Sequence, residues 1–453
     1  MPSSLATLPA VPSPRSQRRE APARWSRIGP PQLLLLGTVT AVGPLTIDLY
    51  LPALPAMAAE FAVEPAALQL SLTATVLGLA LGQLVLGPVS DRLGRRAPLV
   101  GGLAAYAAVT VALAFAGSLP ALVAGRFVQG FLAAAALVVT RAVLRDHVSG
   151  PALGRALAGL VLVMGAGPIL APALGSLLLQ VTGWRGVFVA LAVLGAATAA
   201  AVAVAMPESL PRHRRVAVPV PRLARGYAAL AVDRSFAAPA LASALSFAAL
   251  FAYISAGSFL LQGRYGLSET GYGLVFAVTA ACVIGGSQVG SRLIERVGAV
   301  PLLRAVPVAG AVIAGALVAV TLLGAAELPV LVGLLMAACA VAGVAMPVGA
   351  TVALTGQPPQ RAGSASGLLG VVQFAVGGLA APVVGLLGTG SPLGMALVML
   401  LAFVLSALAG RLSRESGPSG IMSGVTRPGA RGRPVPPGLP RLGGLGGRSG
   451  GPP

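Results

Sequence analysis

Asp48 stands alone among apolar residues in "GPLTIDLYLPALP" (43–55), near the end of a run that begins at Leu33, and two prolines follow it closely. An ionised side chain inside a bilayer costs at least ~2.5–3.5 kcal/mol on insertion scales, so a chain that keeps one has a use for it, most simply the carriage of a proton. Arg126, in "GRFVQG" (125–130), is a second charge of this kind. If the run around Asp48 crosses outward and that of Arg126 inward, each sits some five residues from the same surface, roughly 7–8 Å down at 1.5 Å per residue. Opposite charges at matching depth can pair, or the cation can compete with a proton for Asp48. A plainer assignment stays open, in which Asp48 caps a helix end or reaches outward and Arg126 lies among headgroups. Gln129, Tyr50, Phe251 and Gln373 are candidates for the wall of a cavity, as are Phe247, Tyr253 and Phe374; each can equally face lipid or packing.

Two further stretches ask for something other than proton chemistry. In "GPVSDRLGRR" (87–96), Gly87 and Pro88 are expected to end a helix, Gly94 permits a tight turn, and Arg92, Arg95 and Arg96 face the cytoplasm. A short basic loop explains the arginines; Asp91 fits it less well, because acids contribute little to topology. In "GAGPILAPALG" (165–175), Gly167, Pro168, Pro172 and Gly175 fall inside one apolar run. Small residues there admit a neighbouring helix, and proline interrupts the backbone ladder and kinks it. His147 and His213 lie apart at the cytoplasmic side, and no metal or nucleophile constellation appears within the runs. Nor is there a GxxxxGK[ST] phosphate loop, so ATP is not the expected energy source. The chain reads as a non-enzyme that needs no metal and no cofactor.

Composition dictates the elements that must hold these residues. Of 453 residues, 56% are hydrophobic and 9% charged, with mean hydropathy +0.89; soluble domains are roughly a quarter charged. Runs near the ~20 residues that cross a bilayer as helix recur throughout. Twelve are expected, at about 31–53, 68–88, 98–117, 121–143, 155–180, 185–206, 235–261, 271–290, 300–322, 328–354, 364–388 and 391–410, the fifth and eleventh broken by glycine and proline. Backbone groups in lipid must be satisfied internally, so continuous runs of this length are helices. The expectation is an all-α membrane protein with twelve transmembrane helices in two six-helix halves. Cys282 and Cys339 lie in separate runs, and no disulfide framework is expected.

The arginines orient it. They cluster before the first run, at Arg92–Arg96, at Arg145, through 212–225, at Arg292, Arg296 and Arg361, and from Arg411 onward, whereas the alternate connections carry Glu60, Glu64, Glu269 and Glu327, with only Arg185 and Arg264 near them. By the positive-inside rule both termini are cytoplasmic, and the net charge of +19 marks topology and contact with anionic lipid rather than nucleic-acid binding. The expected parts are a cytoplasmic tail (1–30), a six-helix half (31–206), a cytoplasmic central loop (207–234), a second half (235–410) and a Gly-, Pro- and Arg-rich disordered tail (411–453). A repeat supports this division: "GPVSDRLGRR" follows the second run, and "SRLIERVGAV" (291–300) follows the eighth, the two aligning on Asp91 and Glu295.

Two six-helix halves with "GPVSDRLGRR" after the second resemble the major facilitator superfamily. More narrowly, "DLYLPALP" (48–55), "GRFVQG", "RAVLRD" (141–146), "GPILAPALG" (167–175) and "GWRGVF" (183–188) are similar to the Bcr/CflA-type drug:proton antiporters. The similarity runs from about 33 to 410 and is strongest in the first half. Ala171-Pro172 departs from it, replacing the second glycine pair of the family's fifth-span motif. The resemblance implies that Asp48 and Arg126 take part in proton coupling. It also implies that Asp91 pairs with a cytoplasmic arginine of the fourth span, Arg141 or Arg145, and faces the start of the eleventh span near Gly363. Gly87, Asp91, Arg92, Gly94 and Arg95 would then belong to a conformational lock. The function implied is proton-driven efflux of a small amphipathic molecule from the cytoplasmic membrane, by a monomer. A proton symporter importing a metabolite and a non-transporting sensor or scaffold are the alternatives.

Overall fold

Pro52 decides where the first helix stops. Its ring clashes with the carbonyl four residues back, and it has no N–H to donate. In this computed structural model α1 (Pro30–Asp48) therefore ends on the carboxylate itself, within an apolar stretch that runs from Pro30 to Glu60 and contains the expected 31–53. A 3-10 turn (Leu51–Ala53) and the short α2 (Leu54–Glu60) carry the chain onward. The structure describes residues 28–148, 150–215, 219–358 and 361–413. The tails expected at 1–30 and 411–453 fall almost wholly outside these, as do most side chains from 150 to 168, Pro168 included.

The other helices are α3 (Pro65–Leu93), α4 (Arg96–Ala114), α5 (Leu119–His147), α6 (Gly150–Ala205), α7 (Val220–Val232) and α8 (Arg234–Ser258). After a π-helical turn (Phe259–Arg264) come α9 (Glu269–Val297), α10 (Ala299–Leu322), α11 (Leu328–Thr355), α12 (Ala362–Leu387) and α13 (Pro392–Leu412). No strand occurs among the described residues. Among the described residues, eleven helical stretches are long and apolar enough to cross a membrane. One of them, Ile169–Ala205, lies within α6, whose 56 residues would span roughly 84 Å, far more than one bilayer core of ~30 Å. Gly183, at φ 64° and ψ −174°, interrupts it between two crossings.

Three expectations are corrected. The fifth span is not broken at its prolines, since helix is assigned through Pro168 and Pro172 and the break falls at Gly183. Gly87 and Pro88 do not end the second span; α3 runs on to Leu93, and the turn comes at Gly94, whose φ of +97° a side chain would strain. The central connection is not all loop. Its Leu223, Tyr227 and Leu230 recur at helical spacing in α7, and Tyr227 and Leu230 pack in a small cluster with Phe236, Ala353, Leu368 and Leu369.

Helices in lipid gain little from the hydrophobic effect, so close approach through small residues holds them together. A Cβ at Gly130 of α5 would run into the Thr75 carbonyl of α3, and Cβ atoms at Gly78 and Gly82 would meet the backbone of Phe127 and Phe131. The second half repeats the junction between α9 and α11, where Gly286 abuts Ala340 and Gly343 abuts Val283. Gly130→Val is expected to cost at least the ~1–3 kcal/mol of core overpacking. Thermal melting of the detergent-solubilised protein should show it as a fall of several degrees or loss of the monodisperse species. Gly101→Val on α4, where a Cβ meets nothing within 4 Å, should melt as wild type.

Candidate functional site

A cavity of about 440 Å³ lies between the halves, lined by α1, α3 and α5 on one side and α8, α9, α11 and α12 on the other. Its walls are mostly apolar, with Phe247, Phe251 and Phe374 forming a connected aromatic group at 5.6–5.7 Å between ring centroids. Asp48 and Arg141 are its charged lining residues, and Gln83, Gln373 and Thr279 add polar groups.

Asp48 enters because α1 stops there. It is only 4% exposed, and it has no hydrogen bond or ion pair with any other described residue. The expected pairing with Arg126 is not present. Arg126 is wholly buried and engaged elsewhere: it donates to Gln129 Oε1 at 2.6 Å and to the Thr46 carbonyl at 3.0 Å, with its guanidinium 4.1 Å from the Tyr50 ring centroid. Its Nε is left without a partner. Gln129 in turn donates to Thr110 at 2.9 Å. Arg126 thus grips the last turn of α1, two residues before Asp48, through its backbone.

Among the candidate lining residues, Phe251 and Gln373 do face the cavity. Tyr50 and Gln129 do not: both are fully buried, Tyr50 with Ser71 at 3.1 Å and under Arg126, Gln129 between Arg126 and Thr110. Buried polar groups already satisfied by neighbours within the first half have no reason to line an apolar chamber.

Among the described residues, four side-chain hydrogen bonds join the halves, all at the end opposite the arginine clusters. Gln69 donates to the Ser255 carbonyl (3.0 Å), Thr73 to that of Gly378 (3.0 Å), Gln262 to that of Pro52 (3.1 Å) and Gln180 to Thr270 Oγ1 (3.0 Å). The fifth-span motif lies in this seal. Gly175 touches the Leu49 backbone, and the carbonyl of Pro172 lies 3.2 Å from where a Cβ on Gly273 would sit. Gly167, deeper in the helix, lies against Pro44.

At the arginine-rich end the first half carries its own network. Asp91 pairs with Arg95, four residues on, at 2.6 Å, rather than with Arg141 or Arg145. Arg95 also donates to Ser90 at 2.7 Å and to Asp146 at 3.1 Å. The Glu208 carboxylate accepts from the Arg95 backbone N–H at 2.7 Å, closing the start of α4. Gly87 packs near Val138, Arg92 is exposed, and Arg145 reaches toward Gly363 at the start of α12. Arg141 lines the cavity instead.

The family model described as Major Facilitator Superfamily matches residues 36–382. The chain belongs to the major facilitator superfamily. Within the superfamily it is 32% identical over 377 residues to "Uncharacterized MFS-type transporter YdgK" of Bacillus subtilis, covering 83% of this chain and 93% of that one. It is 30% identical over 386 residues to "Bicyclomycin resistance protein homolog" of Haemophilus influenzae, covering 83% and 94%. Its fold matches, with TM-score 0.67 and 17% identity, a bacterial homolog of the human lysosomal transporter Spinster, across 84% of this chain and 95% of that one.

Superfamily motifs do not reveal Gln69, Thr73 and Gln83, yet a signal for them exists. Thr73 and Gln83 follow Gln69 by four and fourteen residues on one face of α3, and all three meet the second half. A polar stripe on an apolar span is the pattern to read.

Proposed function

We propose that this superfamily member is a proton-coupled efflux transporter that moves amphipathic small molecules out across the cytoplasmic membrane by alternating access. The observation that carries the reading is Asp48, a carboxylate with no partner among the described residues, at the sealed end of a cavity shared by both halves. Such a group can bind either a proton or a cargo that carries or tolerates positive charge, and competition between the two couples their movements. The seal on one side and the cavity's reach to Arg141 and Ser366 on the other are the geometry of a state open toward the arginines. By the positive-inside rule that side is cytoplasmic, and so are both termini. The named resistance relative supports efflux of drug-like cargo over uptake of a metabolite. One cavity closed by the two halves of one chain supports the monomer as the working unit.

The lock residues fit the same cycle. With the outer seal made, Asp91 rests on Arg95; on opening outward, Asp91, Arg92 and Gly94 would draw the second half toward Arg145. The test is proton release from energised inverted vesicles on addition of cationic dyes and of chloramphenicol- or bicyclomycin-like compounds. Dissipation of the gradient supports antiport, and a folded, inserted protein that leaves it intact with every compound sinks the efflux reading for that panel.

A further inference from the structure

Arg141 has no described partner, although it stands in the cavity wall at the arginine-rich end. The described acids on the connections at this end are engaged elsewhere. Asp91 and Asp146 both bind Arg95, at 2.6 and 3.1 Å, and Asp146 also accepts from Ser209 at 2.9 Å. Glu208 accepts from the Arg95 backbone and lies 3.7 Å from Arg215. Asp233 accepts from both the backbone and the hydroxyl of Ser235. Around Arg141 the field is positive: Arg145 is one turn away, Arg361 precedes α12, and α12 begins beside Arg145 with its positive dipole end. A guanidinium partly removed from water and lacking an anion is a fork shaped for a carboxylate.

We infer that Arg141 is an anion subsite of the cargo cavity, and that the transporter accepts planar aromatic molecules bearing a carboxylate. This inference rests on the central cavity being the cargo site. Asp48 at the sealed end and Arg141 at the other charge the chamber oppositely along its length, and Phe247, Phe251 and Phe374 line the stretch between. The arrangement matches a zwitterion with an aromatic body better than a simple cation. An Arg141 whose only role is to meet Asp91 in another conformation would make no such distinction among ligands.

Two dyes separate these roles. Rhodamine 110 and rhodamine 123 share one cationic ring system, and the free carboxylate of the first is a methyl ester in the second. Binding of each to the purified full-length protein in neutral detergent is read by fluorescence anisotropy. Arg141→Gln is expected to weaken rhodamine 110 at least about tenfold, the effect of one charge-assisted hydrogen bond, and to leave rhodamine 123 within about twofold. Arg141→Lys should recover part of the loss. Equal weakening of both dyes, no weakening of either, or a wild type that binds neither overturns the subsite. An anionic headgroup offers the same chemistry as the cargo carboxylate. Arg141-dependent binding of phosphatidylglycerol with no discrimination between dyes would assign the site to lipid and overturn the cargo role. The dye comparison needs no proton gradient. Arg141-dependent binding in a protein that releases no protons keeps the subsite and sinks efflux, and proton release without discrimination does the reverse.

Discussion

Inverted vesicles carrying Asp48→Asn are expected to hold their proton gradient on addition of a compound that dissipates it in wild type. Asparagine keeps the size and polarity of the side chain but has no proton to give up. The carboxylate sits where it does because Pro52 stops α1, so the amide inherits the same place at the sealed end of the cavity. An unpaired charge within a span carries ~2.5–3.5 kcal/mol on insertion scales, roughly a hundredfold in an equilibrium. That is the leverage by which cargo and proton exclude one another, and the amide removes it entirely. Substrate-driven proton release should fall to the level of vesicles without the protein, while a neutral compound still binds. Equal release from mutant and wild type would place the coupling group elsewhere and leave Asp48 a helix-end residue.

Arg126→Lys is the second large effect. The arginine makes two hydrogen bonds at once, to Gln129 and to the Thr46 carbonyl, and presents its face to Tyr50. Lysine offers a compact point charge on a shorter stem, and its three N–H donors radiate from one nitrogen, so it cannot reproduce the planar fork that spans Gln129 and the Thr46 carbonyl. The loss of one charged hydrogen bond in a dry site is ~1.5–3 kcal/mol, and part of a desolvated cation–π contact of about 2 kcal/mol goes with it. The last turn of α1 is then held less firmly, and with it the carboxylate two residues beyond. Substrate-driven proton release should drop at least about tenfold, with a lower melting temperature for the solubilised protein. Arg126→Met, which removes the charge altogether, should release less than lysine. Wild-type release from both variants would make the cluster dispensable to transport.

Membrane class, helix content, the approximate spans and the family were legible in the chain, because each depends on local composition and on short motifs. A run of apolar residues has one backbone solution in lipid wherever its neighbours lie. The charges at 48 and 126 stood out for the same reason: any charge inside a span is costly in isolation. The glycines of "GPVSDRLGRR" and "GPILAPALG" were visible as well, and the turn after α3 does fall at Gly94, but α3 runs past Gly87 and Pro88 and the break in α6 comes at Gly183; both turning glycines have positive φ. The packing face of α7 was hidden among prolines and arginines that read as loop.

Partnership was not legible. Asp48 and Arg126 share a depth, but Arg126 spends its donors on Gln129 and Thr46, and Asp91 closes on Arg95 instead of crossing to α5. Which cation meets which anion depends on helix rotation and tilt, and these follow from where small residues such as Gly130 and Gly175 let two backbones touch. The sequence by itself determined that the chain crosses a membrane repeatedly as helices and carries a few charges too expensive to be idle. Only the tertiary structure decided that Asp48 and Arg141 face one chamber while Tyr50 and Gln129 do not. The physical reason is that burial against lipid and burial against protein select the same apolar residues, so composition finds a span but cannot say which of its faces meets its neighbours.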